Sequence, residues 1–311
     1  MSSIHLQTPF QYYPITSSNS LLTTHHSPLT THLVECPRDA MQGWKHFIKT
    51  EDKIRYINSL LNVGFDTIDF GSFVSPKAIP QMADTKEVLK GLRLQVEGSK
   101  LLAIVANQRG AEEAVMFDEI TYLGFPFSIS PTFQHRNTNS TMEESIIRID
   151  EIQELCIKNN KQLVVYLSMG FGNPYGDDYN ENILLYWADE MVKRAINILS
   201  LADTVGVATP QQISLAFQTL IPKYPETVIG VHLHSTPQNF EAKLAAAVNA
   251  GCTRFDGALK GIGGCPMAQN DLVGNMNTEL MIPYLEERGL LKNLNKDALL
   301  ESLQIAGEVF V

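Results

Sequence analysis

The amino-acid sequence predicts an α/β fold, a (β/α)8 TIM barrel carrying an N-terminal extension and extra C-terminal helices. Two observations predict it. Over residues 31–258 short apolar runs alternate with longer amphipathic stretches eight times, and parallel strands need helical crossovers between them. The clusters of unusual polar residues also fall where the apolar runs stop, and in a barrel those strand ends form one functional rim. A doubly wound open sheet shares the alternation and remains the competing fold.

Taken in order, strands are expected at 31–36, 65–71, 101–106, 119–125, 162–169, 198–203, 227–234 and 253–258. Helices are expected at 51–63, 80–93, 108–117, 142–159, 181–197, 210–221 and 238–250, with two more at 278–288 and 296–307. The helix from Met142 shows the warrant. Ile146, Ile147, Ile149, Ile152 and Leu155 recur near helical spacing, and Thr141 with Glu144 makes a capping box. The Ala-rich stretch 241–249 stops at Gly251, a C-terminal glycine signal. Residues 1–28 read as an extension and 29–311 as the barrel domain.

Bulk composition narrows the function classes. With 311 residues, 44% hydrophobic and 19% charged, the chain can bury a large core. A formal net charge of −10 argues against nucleic acid or an anionic membrane as partner. No apolar run reaches membrane-spanning length. The first 34 residues lack Lys, Arg, Asp and Glu, unlike a signal or transit peptide, so no address is expected there. Cys36, Cys156, Cys252 and Cys265 are widely spaced with no CxxC, which suits a reducing compartment and a cytoplasmic location. The first three sit in strand or helix patterns and are expected in the core.

The run 227–231 ends in His232-Leu233-His234. In a strand, i and i+2 share a face, so both imidazoles project into one pocket. Alone, that pattern fits a metal site or a solvated strand end equally well. Asp39 after strand 1 and Asn275 after a Gly-rich segment add a carboxylate and an amide oxygen. Such a set of four suits an octahedral ion that keeps positions for water or a chelating hydroxy acid. Arg38 is shaped for a carbonyl or carboxylate oxygen, and a salt bridge to Asp69 is the plainer alternative. Cys265, in Gly-Gly-Cys-Pro, is placed for proton transfer on a loop that can close over substrate; its alternative is a small buried hydrophobe. Asp69 and Ser72 end strand 2 and Asp203 ends strand 6, where turn chemistry alone would also favour such residues.

Together these motifs carry a resemblance. They are Val34-Glu35-Cys36-Pro37-Arg38-Asp39-Ala40-Met41-Gln42, then Asp69 to Lys77 with Pro80-Gln81-Met82, and Ser200 to Gly206. The His-Leu-His, Gly261-Ile262-Gly263-Gly264-Cys265-Pro266-Met267-Ala268 and Gly274-Asn275 complete the ordered set. Over roughly residues 31–289 the chain resembles the 3-hydroxy-3-methylglutaryl-CoA lyase family of metal-dependent barrel lyases. The resemblance implies Mg²⁺ or Mn²⁺ held by Asp39, His232, His234 and Asn275, and an acyl-CoA thioester partner. It also implies catalytic Arg38, Cys265, Asp69 and Asp203, with Arg38, Gln42 and Ser72 on the substrate, and a homo-oligomer, expected as a dimer.

The implied reaction is a retro-Claisen cleavage to acetyl-CoA and acetoacetate. It needs a base for the tertiary hydroxyl, a cation for the enolate oxygen and an acid for the enolate carbon. This chain departs from the family pattern at several places. Ser235 and Pro237-Gln238 follow the histidines, Asp69 stands for a glutamate, and Gly170-Phe171-Gly172-Asn173-Pro174-Tyr175-Gly176 replaces a Cys-rich segment. The strand 1 acid is moved one place to Glu35, which without a bulge puts it on the other face. A lyase for a longer-branched 3-hydroxyglutaryl-CoA, a condensing synthase or aldolase, and a non-catalytic acyl-CoA- or protein-binding barrel are the alternatives.

Overall fold

A computed structural model describes residues 31–264, 273–291 and 293–311. Eight parallel strands close in sequence order, each paired with the next and β8 with β1. They are β1 (His32–Glu35), β2 (Thr67–Ser72), β3 (Lys100–Ile104), β4 (Ile120–Ser128), β5 (Gln162–Ser168), β6 (Ile198–Ala202), β7 (Val228–His232) and β8 (Arg254–Gly257). The closed barrel is the expected one, and the open sheet falls away because β1 pairs with β8 from His32↔Arg254 to Glu35↔Gly257.

Strand alternation sorts the side chains into two layers. Leu102, Ile104, Tyr122, Val164, Tyr166 and Ile198 point inward and fill the barrel's centre. Leu33, Ile68, Leu101, Leu123, Phe125 and Leu199 point outward into the helical layer. The helices are α1 (Pro37–Gln42), α2 (Thr50–Leu61), α3 (Thr85–Lys90), α4 (Gln108–Ala114), α5 (Pro131–Thr138), α6 (Met142–Lys158), α7 (Glu181–Lys193), α8 (Pro210–Lys223) and α9 (Phe240–Asn249), of which the short α1 and α5 border the cavity at the rim. After β8 come α10 (Thr278–Glu287) and α11 (Lys296–Val309), the two extra C-terminal helices. The last of these packs on α2, and Phe310 beyond it sets its ring edge-on to Trp44 and Tyr56. No helix among the described residues is long and apolar enough to cross a membrane.

Local signals explain most boundaries. Glu144 N–H donates to Thr141 Oγ1 at 3.2 Å and Thr141 N–H to Glu144 Oε2 at 2.9 Å, the reciprocal cap that starts α6. Gly251, at φ +89°, lets the chain reverse so that Cys252 N–H reaches Ala247 O at 3.0 Å and closes α9. Several boundaries differ from expectation. The short helices α1 and α5 each begin with a proline and are too brief for a periodicity to announce them. The stretch 80–93 is broken into a 3₁₀ turn (Pro80–Met82) and α3. Pro126 does not end β4, which runs to Ser128 with Pro126 in register beside Tyr166.

Glu35 takes the outer face, as the shifted acid required. It is fully buried, accepting from Leu259 N–H at 2.8 Å and from the Thr278 hydroxyl at 2.6 Å, so it joins the barrel wall to α10.

Candidate active site

Pro37, with φ already near the helical value, turns the chain straight from β1 into α1. Arg38 and Asp39 therefore sit in the first turn of a helix above the rim, both buried at 7% exposure, rather than at the end of the strand itself. Two strands along the barrel wall, beyond β8, β7 ends at His232, and His234 follows two residues on. The rings share a side, with centroids 5.4 Å apart. His234 also forms an isolated antiparallel bridge with Asn275, which brings the segment after β8 alongside.

Asp39, His232 and His234 offer ligand atoms that all lie within 4.8 Å of one another. Asn275 completes the group. Its Nδ2 donates to Asp39 Oδ2 at 2.7 Å and to Ile262 O at 2.9 Å. Its Oδ1 is buried and has no hydrogen-bond partner among the described residues. An amide oxygen left bare beside a carboxylate and two imidazoles is a donor set that fits a hard divalent cation. Gly263 closes the site from above at φ +115°. A Cβ there would stand 2.4 Å from Asn275 Nδ2 and 3.1 Å from Asp39 Oδ2, so only glycine fits.

The charges suit that reading. Burial works against ionised Asp39, but Arg38, His232 and Asn275 outweigh it and bring its pKa to about 2. Burial, with His232 beside it, pushes His234 down to about 3, so its imidazole is neutral. His232 is raised in spite of burial, because Asp256 faces its Nδ1 at 3.3 Å and Asp39 lies nearby. Burial also opposes the charge on Arg38, and the carboxylates of Asp69 and Asp39 hold it firmly cationic.

Arg38 occupies both roles weighed for it. Its Nε lies 3.2 and 3.1 Å from the two oxygens of Asp69, its Nη2 also bonds Asp69, and its Nη1 donates to Asp39 Oδ1 at 2.9 Å. It still lines a cavity of about 150 Å³ with Asp39, Gln42, His232 and His234. Gln42 donates to the same Asp39 Oδ1 at 2.8 Å. The same cavity is lined by apolar Val74, Ile79, Ile104, Ala106, Pro126 and Phe133, and by polar Asn137, Thr138, Ser168 and Thr204.

Two expected site residues lie elsewhere. Asp203, expected to be catalytic, does not line the cavity. Its Oδ2 accepts from Lys243 Nζ at 2.7 Å and its Oδ1 from Ala208 N–H at 2.9 Å. Strand alternation turns it to the outer side of β6, where a buried lysine claims it. Ser72 lines a neighbouring cavity with Thr85, Lys86 and Arg109, and its hydroxyl accepts from Val74 N–H at 3.1 Å. Asp69 lies beneath Arg38 with both oxygens engaged, so it supports the guanidinium. Cys265 lies outside the described residues, as does the extension 1–28.

Sequence reading also passed over several residues. Cys36 is buried, but it faces His232 and Asp256, unlike Cys156 and Cys252 in the apolar core. Lys243 holds Asp203, Gly206 O and His234 O together, at 2.7, 3.0 and 2.8 Å. A lysine inside the apolar pattern of α9 was the available signal. Asp256 and Arg254 were signalled by charges at i and i+2 in a strand buried on both faces.

The family model HMGL-like matches residues 33–305. The chain belongs to the HMGL-like family. This HMGL-like protein is 34% identical over 266 residues to a hydroxymethylglutaryl-CoA lyase of Bacillus subtilis, covering 86% of this chain and 88% of that one. It is 31% identical over 307 residues to the mitochondrial hydroxymethylglutaryl-CoA lyase of Mus musculus, covering 97% and 93%. Among solved structures it is similar to an HMG-CoA lyase of Acinetobacter baumannii in complex with coenzyme A and 3-methylmalate. That match has a TM-score of 0.84 at 30% identity over 92% of this chain and 93% of the other.

Proposed function

We propose that the protein is a hydroxymethylglutaryl-CoA lyase that cleaves 3-hydroxy-3-methylglutaryl-CoA to acetyl-CoA and acetoacetate. The observation that carries this is the convergence of Asp39, His232, His234 and the bare Asn275 oxygen beside a charged Arg38, in a member of this family. Asp39, His232, His234 and Asn275 would hold Mg²⁺ or Mn²⁺, both of which accept mixed oxygen and imidazole donors. A cation held there lowers the pKa of a substrate hydroxyl and polarises a neighbouring oxygen.

The remaining work falls to the chain's own side chains. The reaction removes the proton of the tertiary hydroxyl, forms the ketone of acetoacetate and breaks the bond to the carbon beside the thioester. The electron pair passes into the thioester as an enolate, whose negative oxygen needs a fixed cation. Arg38 is that cation, because Asp69 locks its guanidinium from behind and no reorganisation is needed as charge develops. Gln42 and Arg38 together hold Asp39 in one rotamer. Protonation of the enolate carbon is assigned to Cys265 on its sequence context alone. An acyl-CoA thioester as partner is supported by the coenzyme A in the Acinetobacter relative.

The decisive experiment is incubation with 3-hydroxy-3-methylglutaryl-CoA and Mg²⁺, measuring both products directly. EDTA should abolish turnover and Mg²⁺ or Mn²⁺ should restore it; turnover by fully stripped protein would remove the metal from the proposal. A second reading, the same cleavage on a longer C3 branch, is favoured by the apolar side chains of Val74, Ile79, Ile104 and Pro126 in the cavity lining. Comparing kcat/KM for the methyl and longer-branched thioesters separates the two.

A further inference from the structure

We propose that Asp256, braced by Arg254 in the barrel's centre, is the positioning group that fixes the tautomer and ring plane of His232 for metal binding. The inference rests on the metal reading of His232, and two inward rows of the β7–β8 pair carry it. His232 is in register with Asp256, and Gly230 with Arg254. In the upper row His232 Nδ1 lies 3.3 Å from Asp256 Oδ2. An ionised carboxylate only accepts, so the ring proton belongs on Nδ1 and the lone pair on Nε2, free for a cation. Cys36 Sγ shares this corner, and its thiol is turned to Val34 O at 4.0 Å.

The lower row shows a space made for a charge. Arg254 is only 2% exposed, and its Nε stands 3.9 Å from Asp256 Oδ1. A Cβ on Gly230 would meet Arg254 Cβ, Cγ and Cδ, each at 2.9 Å, so the glycine clears room for the arginine stem. Beyond it, the guanidinium lies 5.8 Å from the Tyr122 ring centroid. A buried arginine needs a counter-charge, and Asp256 is the carboxylate paired with it. Arg254 Nε and Nη2 and Asp256 Oδ1 have no hydrogen-bond partner among the described residues, so the bracing is electrostatic.

The test begins with the metal-free protein, where the metal reading plays no part. Histidine-labelled protein at alkaline pH, with His232 assigned by its loss in His232→Gln, should show the Nδ1–H tautomer by long-range ¹⁵N–¹H correlation. A dominant Nε2–H tautomer overturns the proposal without a mutant of the acid. Mn²⁺ affinity is then measured by electron paramagnetic resonance. Failure of the parent to bind Mn²⁺ overturns the metal reading, and this proposal with it. If the parent binds, Asp256→Ala should weaken Mn²⁺ roughly 10- to 100-fold, the usual effect of losing a group that orients a ligating histidine. The isosteric Asp256→Asn serves if the alanine variant does not fold, because it mixes the tautomers and should weaken Mn²⁺ in the same direction. Arg254→Met should give a smaller loss, and full parental affinity there removes the bracing role. Unchanged affinity in both Asp256 variants overturns the whole.

Discussion

Arg38 shows how much one side chain decides. It stands between two carboxylates, Asp69 on its Nε and Nη2 and Asp39 on its Nη1, and still lines the cavity. Lysine keeps the charge but cannot form the fork. Arg38→Lys should lower kcat roughly 10²- to 10³-fold, the usual range for removing a preorganised donor from a developing oxyanion, while Mn²⁺ affinity stays within a few-fold. Steady-state kinetics beside a Mn²⁺ titration would check this, and unchanged kcat would make the Asp69 salt bridge its whole role. Cys265 makes a complementary case. Since Asp39, His232, His234 and Asn275 would supply four ligands under the proposed function, Cys265→Ser should leave Mn²⁺ binding intact and cost roughly 10²- to 10⁴-fold in kcat. Turnover within a few-fold of the parent would return the proton to another donor. Both the pair and the cysteine were visible as residues in sequence. What was not visible was that Arg38 serves both readings at once, because Asp69 is 31 residues away and only strand pairing brings it underneath.

At the scale of elements, the loop after β8 is the part most sensitive to a single atom. Gly261 and Gly263 both have positive φ, and Gly263 rests directly on Asn275 and Asp39. Gly263→Ala adds a Cβ at a backbone angle that L residues avoid and at contact distance from two ligands. Mn²⁺ affinity should fall sharply while the melting temperature changes little, because the loop lies above the rim and not in the core. Parental Mn²⁺ affinity would show that the loop moves away from the metal site in solution. The helix α9 matters differently. Its Lys243 ties the ends of β6 and β7 together, so Lys243→Met leaves Asp203 buried without its counter-charge. That change should cost on the order of 3–5 kcal/mol, read as a fall in the chemical-denaturation midpoint. An unaltered midpoint would mean that Asp203 reaches water.

The molecule as a whole carries a pH dependence seated outside the cavity lining. Glu35 joins β1 to Leu259 and α10, and burial raises its pKa from 4.5 to about 8, the bonds from Thr278 and Leu259 offsetting only part. The folded state therefore holds a proton that the unfolded chain releases more readily. Stability from this group is complete below pH 4.5 and is lost as pH rises toward 8 and beyond. Glu35→Gln keeps an acceptor for Leu259 and a polar group for Thr278 without a proton to lose. The parent should thus lose stability relative to the variant across that window, by a few kcal/mol at the alkaline end. Melting curves over the range decide it, and a pH-independent difference would mean that Glu35 is hydrated or differently bonded.

What sequence alone could determine follows from what is local. A strand's alternation, a helix's periodicity, the Thr141 cap and the Gly251 stop involve residues within a turn or two, so all eight strands were legible. Ordered motifs on strand ends placed Asp39, His232, His234 and Asn275 on one rim, since a barrel of parallel strands has only one such rim. Tertiary structure decided the rest, because partners are chosen by register and face. Asn275 meets Asp39 across 236 positions of chain, and no spacing rule spans that distance. One residue of alternation sends Asp203, read as an acid at a strand end, outward to Lys243, while Asp256, passed over within its strand, turns inward to His232. Which acid acts on the site is thus a matter of which side of a closed sheet it faces.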